Sequence, residues 1–290
     1  LKKKMPSVLI IEGSGKSGFT EEPDGSPFRQ LASRLASKGL VVLKFNKRGS
    51  GENSDNGSFW RSTFSTNESD AQAALDFLRS HAQVDPNKIF LIGHSFGGPI
   101  SLRLSLKNQI AGIVMLTSTI QPIDDLLHQQ NKVIMQLSGM PNLDISKELT
   151  ALDKKLSQIK GNSFKCNAPD CEIKDGVDVM DHSIQVPWLK EALNLNFLQI
   201  AKDQPAKLFF IFGDSDFVIP IEAQNFVRTN LLSKKRPKIE LKIIEKLDHF
   251  MVENESKKES LSYAHKAQKE KVFKPISETL VSSIADWILK

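Results

Sequence analysis

The chain has 290 residues, 40% of them hydrophobic and 25% charged, with 17 Phe; that is material for one large core or two small ones and excludes a disordered chain. Mean hydropathy is −0.26, and no apolar run approaches the roughly 18 residues of a membrane span. Lys and Arg number 39 against 34 Asp and Glu, interspersed rather than gathered on one face, which excludes a nucleic-acid footprint.

Short aliphatic runs ended by Gly or polar turns alternate with segments of helical period, the pattern of a mostly parallel sheet flanked by helices, an α/β fold. Ser7–Glu12 is read as a strand and residues 13–18 as a loop. Pro27–Lys38 is read as a helix, with Phe28, Leu31 and Leu35 on one face and Gly39 as its stop. Leu40–Phe45 is the next strand, followed by turns over Lys47–Gly57 and a helix over Asn67–His81. A strand at Lys88–Ile92, a helix at Phe96–Leu106 and a strand at Ile110–Thr117 continue the series.

The alternation lapses over 121–204, too long for an ordinary connection. Helical pieces at Ile123–Leu137, Ile145–Ile159 and Trp188–Ile200 mark this stretch as a helical cap inserted into a core made of 1–120 and 205–290. Cys166 and Cys171 lie within it, and their spacing permits either a small disulfide loop or two thiols. The core resumes with a strand at Lys207–Phe212, a helix at Glu222–Leu232, a strand at Ile239–Ile244 and a closing helix at Ile276–Leu289. Residues 253–274 interleave Glu and Lys and are read as a surface helix or loop, and the basic run Lys234–Lys238 as a solvated turn.

The residues richest in chemistry are Gly93-His94-Ser95-Phe96-Gly97, a Gly-x-Ser-x-Gly elbow between a strand and a helix. A Ser at the apex of so sharp a turn has a strained backbone, and small neighbours are needed on either side. A neutral serine needs a base. Of the six His residues, His94 sits in the elbow pointing away from the hydroxyl, while His81, His128, His182 and His265 lie on helices, in the cap or in the charged segment. His249 follows the last strand and is the expected base. Asp216, in the loop after the preceding strand, is the expected partner that orients it, with Asp214 and Asp248 as competitors. Oxyanion donors are expected at the Phe96 amide and at the Ser14 amide of the Gly13-Ser14-Gly15 loop. That loop also resembles the end of a phosphate-binding loop, but the Gly required at its start falls on Ile10.

With these residues in hand, the chain resembles the α/β-hydrolase superfamily, in particular serine esterases related to dienelactone hydrolases and prolyl-oligopeptidase-type catalytic domains. The likeness rests on residues 12–15, on 46–51, on the Ser95 elbow, and on Asp216 and His249 in the order nucleophile, acid, base. Two positions depart from the family: Glu12 stands where His is common, and Asn46 where Asp is common. The resemblance implies two further strands before Ser7, so a truncated N-terminus or smaller sheet is expected, with Leu40–Phe45 near an edge. The implied function is cleavage of a carboxylic ester through an acyl-enzyme on Ser95, with no metal or organic cofactor and a small-molecule ester or acyl substrate as partner. Cap residues Leu126, Leu127 and Trp188 are expected to line the acyl pocket, or else to face the sheet as core. An amidase, peptidase or thioesterase using the same residues is the nearest alternative, and a non-catalytic binding scaffold the more distant one.

Overall fold

A computed structural model describes residues 4–16, 22–51, 56–164, 172–174, 183–232 and 238–290. The two cysteines, His182 and most of the basic run 234–238 lie outside the described residues. The chain opens with strand β1 (Met5–Ile11), helix α1 (Pro27–Ser37) and strand β2 (Val41–Leu43). Helices α2 (Asn56–Trp60) and α3 (Phe64–Ser80) precede β3 (Val84–His94), α4 (Gly97–Leu106) and β4 (Gly112–Leu116). Next come α5 (Ile123–Leu137), α6 (Asn142–Lys160), the short strands β5 (Glu172–Lys174) and β6 (Ser183–Gln185), α7 (Val186–Ala192) and α8 (Phe197–Lys202). The rest is β7 (Lys207–Gly213), α9 (Ile221–Val227) with a π-helical turn over Arg228–Leu232, β8 (Ile239–Ile244), α10 (Lys257–Glu270) and α11 (Glu278–Leu289).

Six strands form one sheet in the order β2-β1-β3-β4-β7-β8, every neighbouring pair parallel. β2 stands at one end of this sheet. Side chains alternate strictly between its two faces. Leu9, Ile11, Leu91, Met115, Phe210 and Phe212 pack on one side with α3 and α4. Val8, Ile10, Ile92, Val114, Leu116 and Ile211 pack on the other, against Leu31 and Leu35 of α1 and Leu280, Val281 and Ile284 of α11. Between β4 and β7, Leu126, Leu127, Leu152, Leu156 and Trp188 belong to the same apolar cluster as the first sheet face, while Ile134, Met135, Ile145 and Leu149 lie in smaller clusters.

Local boundaries differ from the sequence reading for identifiable reasons. α3 starts three residues earlier because Thr63 and Thr66 cap it reciprocally. The helix read over Trp188–Ile200 is two helices, because Asn196 caps α8 by accepting from the Gln199 amide at 2.9 Å. The interleaved charges near the C-terminal end fold as α10, which buries Leu261, Tyr263, Ala264 and Ala267 rather than lying on the surface alone.

The chain runs from β1 outward to β2 and then crosses to β3 on the far side of β1. This reversal opens a crevice at the C-terminal ends of β1 and β3, where open α/β sheets bind ligands. The loops that carry Ser14 and Ser95 leave the sheet there.

Candidate active site

Ser95 directly follows β3 with φ at 51°, a left-handed conformation that a non-glycine residue adopts only where its surroundings enforce it. The enforcement is visible. The Ser95 amide donates to the Leu116 carbonyl at 3.1 Å, and the Ser118 hydroxyl donates to the Ser95 carbonyl at 2.6 Å. A Cβ at Gly93 would stand 2.5 Å from the Gly98 Cα, so the turn closes only over glycine. Gly13 of the neighbouring loop passes equally close: a Cβ there would lie 2.6 Å from the Ser95 Cβ and 3.1 Å from its Oγ.

The Ser95 side chain opens into a cavity of about 260 Å³ that is also lined by Ser14, His94, Phe96, Leu126, Val218, Ile219 and His249. His249, 5% exposed, presents Nδ1 to Asp216 Oδ2 at 3.1 Å. A carboxylate only accepts, so Nδ1 carries the proton and Nε2 is left as the acceptor. The other Asp216 oxygen accepts from the Val218 and Ile219 amides at 2.7 and 2.9 Å, which fixes the carboxylate, 1% exposed. Asp214 is exposed and accepts from the Lys246 amide at 2.6 Å, a turn contact.

Asp248 is bound elsewhere. It accepts from the amides of Phe250 and Val252, from Asn254 Nδ2 and from the Ser260 hydroxyl, all within 3.0 Å. Burial dominates its titration and pushes its pKa up to about 6. Asp248 therefore holds the loop that carries His249, a role its adjacency in sequence does not reveal.

His94 does turn away from the Ser95 hydroxyl, and it finds a second task. Its Nε2–H donates to the His249 backbone carbonyl at 2.9 Å, and the two rings stand 4.6 Å apart. Burial, with His249 nearby, holds the His94 pKa well below its ordinary value, so the ring is neutral.

Glu12, where the family commonly has His, forms a buried ion pair with Lys44 at 2.8 Å; Lys44 also pairs with Glu22 at 2.5 Å and sits over the Phe28 ring. Lys47 reaches the loop after β1, donating to the Gly13 and Gly15 carbonyls. Lys47 lies in the 46–51 stretch that carries part of the family likeness and Lys44 just before it, and the packing of β2 beside β1 brings both to this loop.

The three apolar positions expected in the pocket separate. Leu126 lines the cavity that holds Ser95. Trp188 packs on Phe96 at 4.8 Å and lines a second cavity, with Lys47, Arg48 and Asp70, that shares Glu12, Gly13 and Ser14 with the first. Leu127 is buried in the core and is among the lining residues of neither cavity. Among the described residues, no cluster of three or more His, Cys, Asp or Glu could hold a metal ion, and no helix is long and apolar enough to cross a membrane.

Comparison with known proteins agrees with this fold. Residues 18–257 match the Hydrolase_4 family, described as serine aminopeptidase, S33. The chain belongs to that family. Among curated relatives, Esterase EstD from Thermotoga maritima is 24% identical over 288 residues, which is 98% of this chain but 62% of the relative. This chain thus spans less than two thirds of that relative's length. Among solved structures, Est1E from Butyrivibrio proteoclasticus, in a complex with ferulic acid, aligns with a TM-score of 0.55 at 15% identity over 92% of this chain and 89% of its own. A lipase-esterase related protein from Clostridium acetobutylicum aligns with a TM-score of 0.51 at 18% identity, covering 93% of this S33-family chain and 96% of its own. The fold is that of the α/β-hydrolases.

Proposed function

We propose that this S33-family chain hydrolyses carboxylic esters through an acyl-enzyme on Ser95. The observation that carries the reading is the Asp216–His249 pair, held at 3.1 Å with Nε2 free to accept, in the same cavity as the strained Ser95. Ser95 Oγ attacks the ester carbonyl carbon while its proton passes to His249 Nε2, and Asp216 stabilises the imidazolium. The Ser14 and Phe96 amides receive the charge that builds on the carbonyl oxygen. Collapse expels the alcohol, which takes the proton from Nε2. A water then gives a proton to Nε2 as it attacks the acyl carbonyl, and collapse breaks the bond to Ser95 Oγ, which takes that proton back as the acid leaves.

Residues 121–204 act as a cap in this reading, with Leu126 on the wall beside Ser95 and Trp188 bordering the second cavity. The small cavity and its apolar wall favour a small or medium acyl chain on a small-molecule ester. EstD and the Clostridium protein carry esterase or lipase-esterase names, which supports an ester over an amide. The family description, serine aminopeptidase, keeps a peptidase as the second reading.

A panel of nitrophenyl esters of rising acyl length, run beside aminoacyl anilides, tests the choice. Turnover of short esters well above anilides is expected, with Ser95→Ala losing roughly 10⁶-fold in kcat. Anilides turned over faster than every ester would replace the esterase by the peptidase, and full ester activity in Ser95→Ala would remove the mechanism.

A further inference from the structure

The Gly13-Ser14-Gly15 loop poses a physical problem. Two of its three residues have no side chain to pin them, and Gly15 is left-handed at φ 87°. An oxyanion donor is effective only if it is aimed before the reaction begins. Something outside the loop must therefore hold it.

Lys47, just past β2, is the group that reaches it. Its Nζ donates to the Gly13 carbonyl and, at 2.8 Å, to the Gly15 carbonyl. The Gly13 carbonyl and the Ser14 N–H belong to one planar trans peptide and point in opposite directions. Fixing the oxygen therefore fixes the direction of the N–H. A cation on the carbonyl also polarises the amide and strengthens it as a donor. Gly13 lies against Ser95, so this peptide is next to the hydroxyl it would serve.

We propose that Lys47 is a positioning residue that braces the oxyanion loop through the Gly13 and Gly15 carbonyls and so aims the Ser14 amide at the reacting carbonyl oxygen. The proposal rests on the esterase reading above and deepens it. Lys47 as a residue is partly exposed, yet its ammonium is placed deep enough for burial to push its pKa down to about 8. Glu12 opposes that shift and Lys44 adds to it; His94 also feels the Lys47 charge. Glu22 faces Lys44, and the Arg48–Asp70 pair borders the same second cavity. A filler would be better served by a hydrocarbon, whereas a charge held against its own burial is suited to electrostatic work. As pH rises through about 8 the ammonium becomes a neutral amine, and the brace weakens without disappearing.

The test compares wild type, Lys47→Met and Lys47→Arg on a short nitrophenyl ester, with active sites counted by fluorophosphonate titration. Lys47→Met should lower kcat per active site roughly 10- to 100-fold, below the cost of losing an oxyanion donor outright, with KM nearly unchanged. Affinity for a trifluoromethyl ketone, which binds as the tetrahedral oxyanion, should fall in parallel. The wild-type kcat should decline above about pH 8, and that decline should vanish in Lys47→Met and in Lys47→Arg, whose charge does not titrate there. An unchanged kcat per site in Lys47→Met overturns the proposal. Should that variant not fold, a wild-type profile flat across this range, or the same decline in Lys47→Arg, overturns it instead. Wild-type protein that neither titrates with the phosphonate nor cleaves esters overturns the esterase reading and the brace together.

Discussion

At the residue scale, the site divides into groups that sequence order exposes and groups that only packing reveals. Ser95, Asp216 and His249 are expected from sequence because each follows a strand and each is of the type the proposed chemistry requires. The choice of Asp216 over Asp214 is explained by contacts: two loop amides and the imidazole use both Asp216 oxygens, while Asp214 faces solvent. Asp216→Asn should leave the fold intact and lower kcat by roughly 10⁴-fold, because an amide no longer enforces the Nδ1–H tautomer. Steady-state kinetics on a short ester check this, and a loss below tenfold would mean that the carboxylate does not orient the base. His94 and Lys47 were not legible as supports. Their partners are main-chain carbonyls at 249, 13 and 15, and a backbone atom leaves no mark in the sequence.

Among the elements, α5 and β8 match the sequence reading residue for residue, while β3 begins four residues before it and the short pair β5 and β6 went unread. Buried parallel strands announce themselves as continuous aliphatic runs, whereas α3 and α8 begin where a Thr or Asn side chain happens to cap them. The loop between β8 and α10 depends on a buried carboxylate, and this has a measurable consequence. Asp248 has a folded pKa of about 6 against the usual 3.8, so the native state holds that proton more tightly than the unfolded chain. The stabilisation is complete below 3.8 and is lost as pH rises through about 6. Asp248→Asn cannot titrate, so the stability gap by which wild type exceeds it should shrink, or reverse, by about 3 kcal/mol over that interval. Denaturant unfolding of both proteins on the two sides of the interval measures it. A gap independent of pH would mean that Asp248 is not held as described.

For the whole molecule, the sheet order decides where chemistry can occur. The crossing from β2 over β1 to β3 brings the 12–15 loop against the Ser95 elbow, while β7 and β8 deliver Asp216 and His249 to the same edge. The alternation of strands and helices predicts this sheet, and family membership over residues 18–257 agrees with it. The stretch 121–204 shows in the sequence as a lapse of that alternation. Which of its side chains join the sheet core does not show there, because those contacts, such as Leu126 and Trp188 in one cluster with Phe96 and Phe210, link residues far apart in the chain. The account turns on Ser95 becoming covalently acylated in this setting. Rapid quenching after mixing with nitrophenyl acetate, followed by mass spectrometry of the protein and its peptides, tests that directly. One acetyl group on the peptide containing Ser95, formed in a burst and absent from Ser95→Ala, is the expected result. Steady ester turnover with no acetyl on Ser95 at any time point, or with acetyl on another residue, would contradict it.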